Sequence, residues 1–131
     1  MTPRTRSVED FAGEPAALNV KMAVIVRQDV PMAATRIVQH AAWTVLGMFK
    51  KLYKRRDPLL KSWDMGGERL EVLLAPSEDE LMEVQAKARA LGLPTHTFAG
   101  RDRSRKQRTV MAIGPTDAAT LQQVAGHLKE L

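Results

Sequence analysis

At 131 residues, with 44% apolar and 27% charged side chains, the chain has the size of one domain around one hydrophobic core. It contains no cysteine, which excludes a disulfide framework, a thiolate nucleophile and a cysteine zinc cluster, and its longest mainly apolar stretches, Val20 to Val26 and Leu70 to Ala75, fall short of a bilayer span. The net charge of +5 favours phosphate-bearing partners, and the cations are unevenly spread, clustering at Lys50 to Arg56 and at Arg101 to Arg108 on either side of a mainly acidic stretch, Glu68 to Glu83.

Residues 1–18 carry Pro3, Gly13 and Pro15 among scattered charges, and read as a mobile N-terminal extension ahead of a domain over residues 19–131. This stretch lacks the apolar run of a secretory signal, and Glu9, Asp10 and Glu14 do not suit a transit peptide, so the cytoplasm is the expected compartment. Val20 to Arg27, rich in β-branched residues, predicts a buried strand. A long helix is expected from around Met32 to near Arg56, with Ile37, Ala41, Thr44, Val45, Met48, Phe49 and Leu52 at helical spacing. Pro58 disfavours helix at Asp57 and ends it. Leu59 to Trp63 predicts a further short turn, and Gly66-Gly67 breaks the chain before a second strand, Arg69 to Ala75.

Pro76 to Glu80 opens the next helix, with Ser77 as cap and Glu80 reaching back in a capping box. Leu81, Val84, Ala88 and Leu91 form its apolar stripe, and Gly92 is its left-handed stop. Leu93 to Phe98 and Arg108 to Ile113 predict a third and a fourth strand. The fourth is expected to stop at Gly114-Pro115, with Thr116 capping a last helix over Asp117 to Leu131. The order β-α-β-α-β-β-α implies an α/β fold, a small mixed four-stranded sheet with helices on both faces. The two helical crossovers give right-handed parallel neighbours, and the last two strands an antiparallel pair.

No Gly-x-Gly dinucleotide pattern, P-loop or metal-ligand spacing occurs, so no cofactor is implied. In an open sheet of this kind functional groups gather beyond the carboxyl ends of the strands, which brings Gln28 to Arg36 towards Thr95 to Arg101. Arg36 and His40 are four apart on the first helix with Trp43 continuing the stripe, an arrangement suited to a phosphate, a base and a stacked nucleobase. As ordinary packing, Trp43 would instead sit in the core or a dimer interface. Between Arg101 and Arg108 five cations face one acid, which points to phosphate contact.

Several short fragments, in order and spacing, resemble the type 2 peptidyl-tRNA hydrolases from Lys21 to Lys129. They are Lys21-Met22 leading to Arg27-Gln28-Asp29, Met32, Lys61-Ser62-Trp63, Leu74-Ala75-Pro76, Leu91-Gly92-Leu93, Ala99-Gly100-Arg101, Ile113-Gly114-Pro115 and Gly126-His127-Leu128-Lys129. The resemblance implies a mixed four-stranded sheet flanked by helices, often a homodimer. It also implies cleavage of the ester between a peptide and the 3′ ribose of tRNA, with no metal or organic cofactor. The polar positions differ from the family pattern. Its lysine-rich helix entry falls on Ala33-Ala34-Thr35-Arg36, its glutamine and histidine on His40 and Trp43, its aspartate on Phe98, and its threonine-glutamine pair on Asp102-Arg103.

Two functions follow from the resemblance, beside a third class, a small-ligand or protein-interaction domain unrelated to RNA, to which the acidic middle and the tryptophans point only faintly. One is peptidyl-tRNA hydrolysis through a rearranged site, in which Arg36 and Arg101 hold the acceptor end, His40 or Asp29 polarises water, and Arg103, Arg105 and Lys106 contact phosphate. The other is a catalytically inactive module that binds tRNA or another RNA on the same fold. Neither needs a membrane.

Overall fold

Strand β1 (Val20–Arg27) is central because it is apolar on both faces. Ala23 and Ile25 point to one layer of helices, and Met22, Val24 and Val26 to the other. The computed structural model describes residues 7–11, 19–99 and 107–131. Within them β2 (Arg69–Ala75), β3 (Thr95–Ala99), β4 (Arg108–Asp117) and β5 (Lys129–Glu130) join β1 in one five-stranded sheet, in the order β3-β4-β1-β2-β5. β1 and β2 run parallel, and all other neighbours are antiparallel. Helices α1 (Ala34–Arg55) and α2 (Pro58–Met65) cover one face, and α3 (Glu78–Ala90) and α4 (Ala118–Ala125) the other.

The mixed sheet with helices on both faces agrees with the sequence expectation, but the four-strand count does not. Gly126 ends α4 after eight residues, Leu128 turns back into the core, and Lys129–Glu130 pairs with Leu73 and Leu74. That pairing satisfies the backbone of the β2 edge, a stronger demand than extending the helix. The short turn after Pro58 is a full helix, because Pro58 occupies its first turn and Asp57 accepts a hydrogen bond from Leu59 N at 3.0 Å.

The last helix is capped by Asp117, not Thr116. Asp117 accepts from Thr120 N at 2.9 Å and from Thr120 Oγ1 at 2.7 Å, while β4 runs on through Gly114 and Pro115, joined by a cis peptide bond. Ser77 caps α3 as expected, accepting from Glu80 N at 3.2 Å, and Gly92 is left-handed with φ +74°. Leu91 leaves the stripe and is exposed. Of residues 1–18, the described Val8 and Phe11 are buried against the cluster of Leu52, Leu60 and Trp63.

Gly114 sits at φ +98°, and a Cβ there would lie 3.0 Å from Thr116 N and 3.1 Å from Lys21 O, both backbone atoms unable to swing aside. Gly114→Ala is therefore expected to lower stability by about 1–2 kcal/mol through left-handed strain and crowding of the β1–β4 ladder. A denaturant midpoint equal to that of the parent chain would contradict this.

Candidate functional site

Four strand ends and two helix starts meet at one edge of the sheet. β1 ends at Arg27 beside the end of β2 at Ala75, and β4 begins at Arg108 beside the end of β3. The first turns of α1 and α3 open onto the same edge.

Arg27 organises half of it. Its side chain is only 10% exposed, and its guanidinium grips Asp29 twice, Nε to Oδ1 at 3.0 Å and Nη2 to Oδ2 at 2.8 Å. Nη1 donates to Glu78 Oε2 at 3.1 Å and to the Arg108 carbonyl at 3.2 Å. Arg108 reaches the other oxygen of Glu78 at 3.2 Å. One arginine thus ties the end of β1, the start of α3 and the start of β4 together, with the fork geometry that a lysine lacks. Its hydrogen bonds hold the Asp29 carboxyl below the usual carboxylate range. Asp29 is consequently a committed anion and a weak base.

The other half is built on α1. Its cap position is Ala33, which offers no side-chain oxygen, and the first turn carries no acid. Arg36 stands in that turn, where a cation opposes the helix dipole but strengthens the pull on an anion. One turn on, His40 Nδ1 lies 2.8 Å from Thr109 Oγ1 of β4. Its ring centre is 4.5 Å from that of Phe98 on β3. Burial first, and the Arg36 charge second, push the His40 imidazole below its ordinary pKa, so it is neutral at neutral pH. Trp43 lies over Phe98 with ring centres 5.5 Å apart, and 6.2 Å from His40.

Trp43 does not occupy the core. It is 49% exposed, whereas Trp63 is buried and donates its indole N–H to the Arg69 carbonyl at 2.8 Å. Further along the same stripe Gly47 gives α1 room beside β3. A Cβ at that position would run into the His96 imidazole. Lys51, one more turn along, donates to the Thr95 carbonyl at 2.7 Å, so α1 is fastened to β3 at both ends of the contact. Burial and the neighbouring Arg55 and Arg89 lower the Lys51 pKa, and burial with Lys51 lowers that of His96.

Arg36, His40 and Trp43 therefore share a face as their spacing predicts, and Asp29 sits at the same sheet edge in the Arg27 network. Arg101, Arg103, Arg105 and Lys106 lie outside the described residues. Arg27, Glu78 and Thr109 are the additions that the structure makes, while Phe98, where the resemblance puts the family's aspartate, stands against His40. An arginine closing the apolar run Met22 to Val26 was a legible signal for Arg27, but nothing local marks Thr109 as the partner of a histidine 69 residues away. Among the described residues no His, Asp and Glu cluster has the makings of a metal site, and no helix is long and apolar enough to cross a membrane.

Residues 20–131 match the family described as Peptidyl-tRNA hydrolase PTH2. The chain is 31% identical over 130 residues to a bovine protein named peptidyl-tRNA hydrolase 2, mitochondrial, covering 97% of this chain and 72% of the relative. It is 34% identical over 118 residues to a probable peptidyl-tRNA hydrolase 2 of Drosophila melanogaster, covering 86% of this chain but 62% of the relative. A peptidyl-tRNA hydrolase of Methanocaldococcus jannaschii is 29% identical over 117 residues and is covered over its whole length. The chain spans less than two thirds of the fly protein, and likewise 62% of the mouse one.

Proposed function

The chain belongs to the peptidyl-tRNA hydrolase PTH2 family, and from that we propose that it hydrolyses the ester joining a peptide to the 3′ ribose of tRNA, with His40 as the group that polarises water. The carrying observation is the 2.8 Å contact between His40 Nδ1 and Thr109 Oγ1 in a ring that burial keeps neutral. With Nδ1–H donating to the threonine oxygen, Nε2 keeps its lone pair and takes a proton from water. The water oxygen attacks the ester carbonyl carbon, and the carbonyl electron pair moves onto oxygen. As that pair returns, the bond to the ribose 3′ oxygen breaks. The departing oxygen takes the proton back from the imidazolium, giving free tRNA and a peptide carboxylic acid, whose remaining proton passes to solvent.

Asp29 is less suited to this step, because Arg27 occupies its carboxylate and weakens it as a base. Arg36, at an uncapped helix start, would hold a phosphate of the acceptor end. Arg101, Arg103, Arg105 and Lys106 would extend the phosphate contact, a role that rests on their charge and on their place between β3 and β4. Full-length protein mixed with peptidyl-tRNA is expected to release free tRNA, and no release at micromolar enzyme would overturn the assignment.

A second reading is favoured by one observation: two aromatic rings pack on His40, an apolar surround that suits binding without hydrolysis. In that case tRNA binds, with steep salt dependence, but stays intact. Under either reading the combined variant Arg103→Gln, Arg105→Gln, Lys106→Gln is expected to reduce the slope of log affinity against log salt by about 2. A slope equal to that of the parent chain would remove the phosphate role from these three residues.

A further inference from the structure

We propose that Trp43 and Phe98 form a stacking platform for an unpaired purine base, that of the 3′-terminal nucleoside carrying the ester. This deepens the proposed function and rests on it for the identity of the nucleoside. Trp43 does not stand where it does by the ordinary logic of a core. Trp43 leaves about half of its surface in solvent, and it does so while leaning on Phe98 and not on the interior.

The Trp43 ring is stacked on His40 and tilted against Phe98. The Trp43 plane is 33° from that of Phe98 and 26° from that of His40, so the exposed indole presents a broad flat face with two rings supporting it. A planar base gains from such a face whatever its hydrogen-bonding edge, and a purine gains more than a pyrimidine because it covers more of it. The surroundings favour an anionic ligand over an apolar peptide. Arg36 lies on the same helix stripe, and among the described residues no carboxylate pairs with it. The first turn of α1 has no acid to repel a phosphate.

Position makes the same argument. The platform touches His40, the group assigned to water, so a base stacked on Trp43 would bring its own ribose to the imidazole. The sugar that bears the reacting ester is then the one next to the catalytic nitrogen, and the chain needs no separate element to deliver it. In tRNA that terminal nucleoside is an unpaired adenosine, which fits the requirement for a free purine face.

The test uses the two tryptophans of the full chain. Trp63 is buried and hydrogen-bonded, so a ligand-induced change in indole emission reports on Trp43. Adenosine 5′-monophosphate is expected to quench emission, ribose 5-phosphate to leave it unchanged, and Trp43→Ala to abolish the response. In single-turnover cleavage Trp43→Ala should raise the half-saturating concentration of peptidyl-tRNA about fivefold to hundredfold with a much smaller effect on the limiting rate, and Trp43→Phe should recover most of it.

Equal quenching by ribose 5-phosphate would overturn the proposal. So would unaltered half-saturation in Trp43→Ala, or an emission that shifts with protein concentration alone, since a second copy of the chain would then be covering the indole. A protein that binds adenosine 5′-monophosphate through Trp43 but releases no tRNA upholds the platform and defeats the hydrolytic reading. One that cleaves normally after Trp43→Ala does the reverse.

Discussion

His40→Asn is expected to reduce single-turnover cleavage of peptidyl-tRNA about a hundredfold or more, the range general-base catalysis contributes. Asparagine keeps a polar atom near Thr109 Oγ1 but has no nitrogen able to take a proton from water. The parent chain should show a rate that climbs with pH to a plateau, because only the neutral ring is a base. Burial and Arg36 disfavour the imidazolium, so the midpoint should fall below the ordinary histidine value of about 6.5. The variant should show a residual rate with no such rise.

Stability carries the same sign. Between the depressed folded pKa and the ordinary unfolded one, the unfolded chain binds more protons. His40 and His96 both therefore favour the folded state fully above about pH 6.5 and progressively less as pH falls through their folded values. Parallel rate profiles for parent and His40→Asn would sink the role of His40 in proton transfer, and unfolding free energy that is flat through this window would contradict the burial argument.

Arg27→Met is the second large effect. It leaves Asp29 and Glu78 as neighbouring anions without their shared cation and releases the carbonyl at the start of β4. Removing one partner of a fully buried pair costs about 3–5 kcal/mol. Here Asp29 and Glu78 are 40% and 42% exposed, so water screens part of the loss and about 1–3 kcal/mol is expected. A lowered urea midpoint at unchanged slope is the readout. Adding Asp29→Asn and Glu78→Gln should restore part of the loss, since the repelling charges are then gone. A midpoint equal to the parent's would show that the network is incidental to stability.

Strand β1 was legible to the residue because its apolar, β-branched run satisfies both faces of a central sheet, and β2 because Gly66-Gly67 and Pro76 bracket its leucine-rich run. The cap at Ser77 was equally plain, since capping is a local transaction between a side chain and an amide three residues on. What escaped was settled at longer range. The terminal Lys129–Glu130 strand exists because the β2 edge is open, and Asp117 displaces Thr116 as cap because β4 continues past Gly114.

The site divides in the same way. Helical spacing alone put Arg36, His40 and Trp43 on one face. The exposure of Trp43 and the seating of His40 between Thr109 and Phe98 depend on how α1 lies across β3 and β4, which no periodicity encodes. The Arg27 network is the clearest case, because Glu78 belongs locally to a helix opening and only the fold brings it to the end of β1.

The absence of a methyl group at Gly47 governs more than its own turn. His96 fills the volume that a side chain there would claim, so any substituent at 47 must either push that imidazole out or wedge the helix away from its neighbouring strand. Two turns upstream, such a wedge would stretch the His40–Thr109 contact, which tolerates little lengthening before it is broken. The aim of the proposed base is thus governed from a distance by a residue that has nothing to aim.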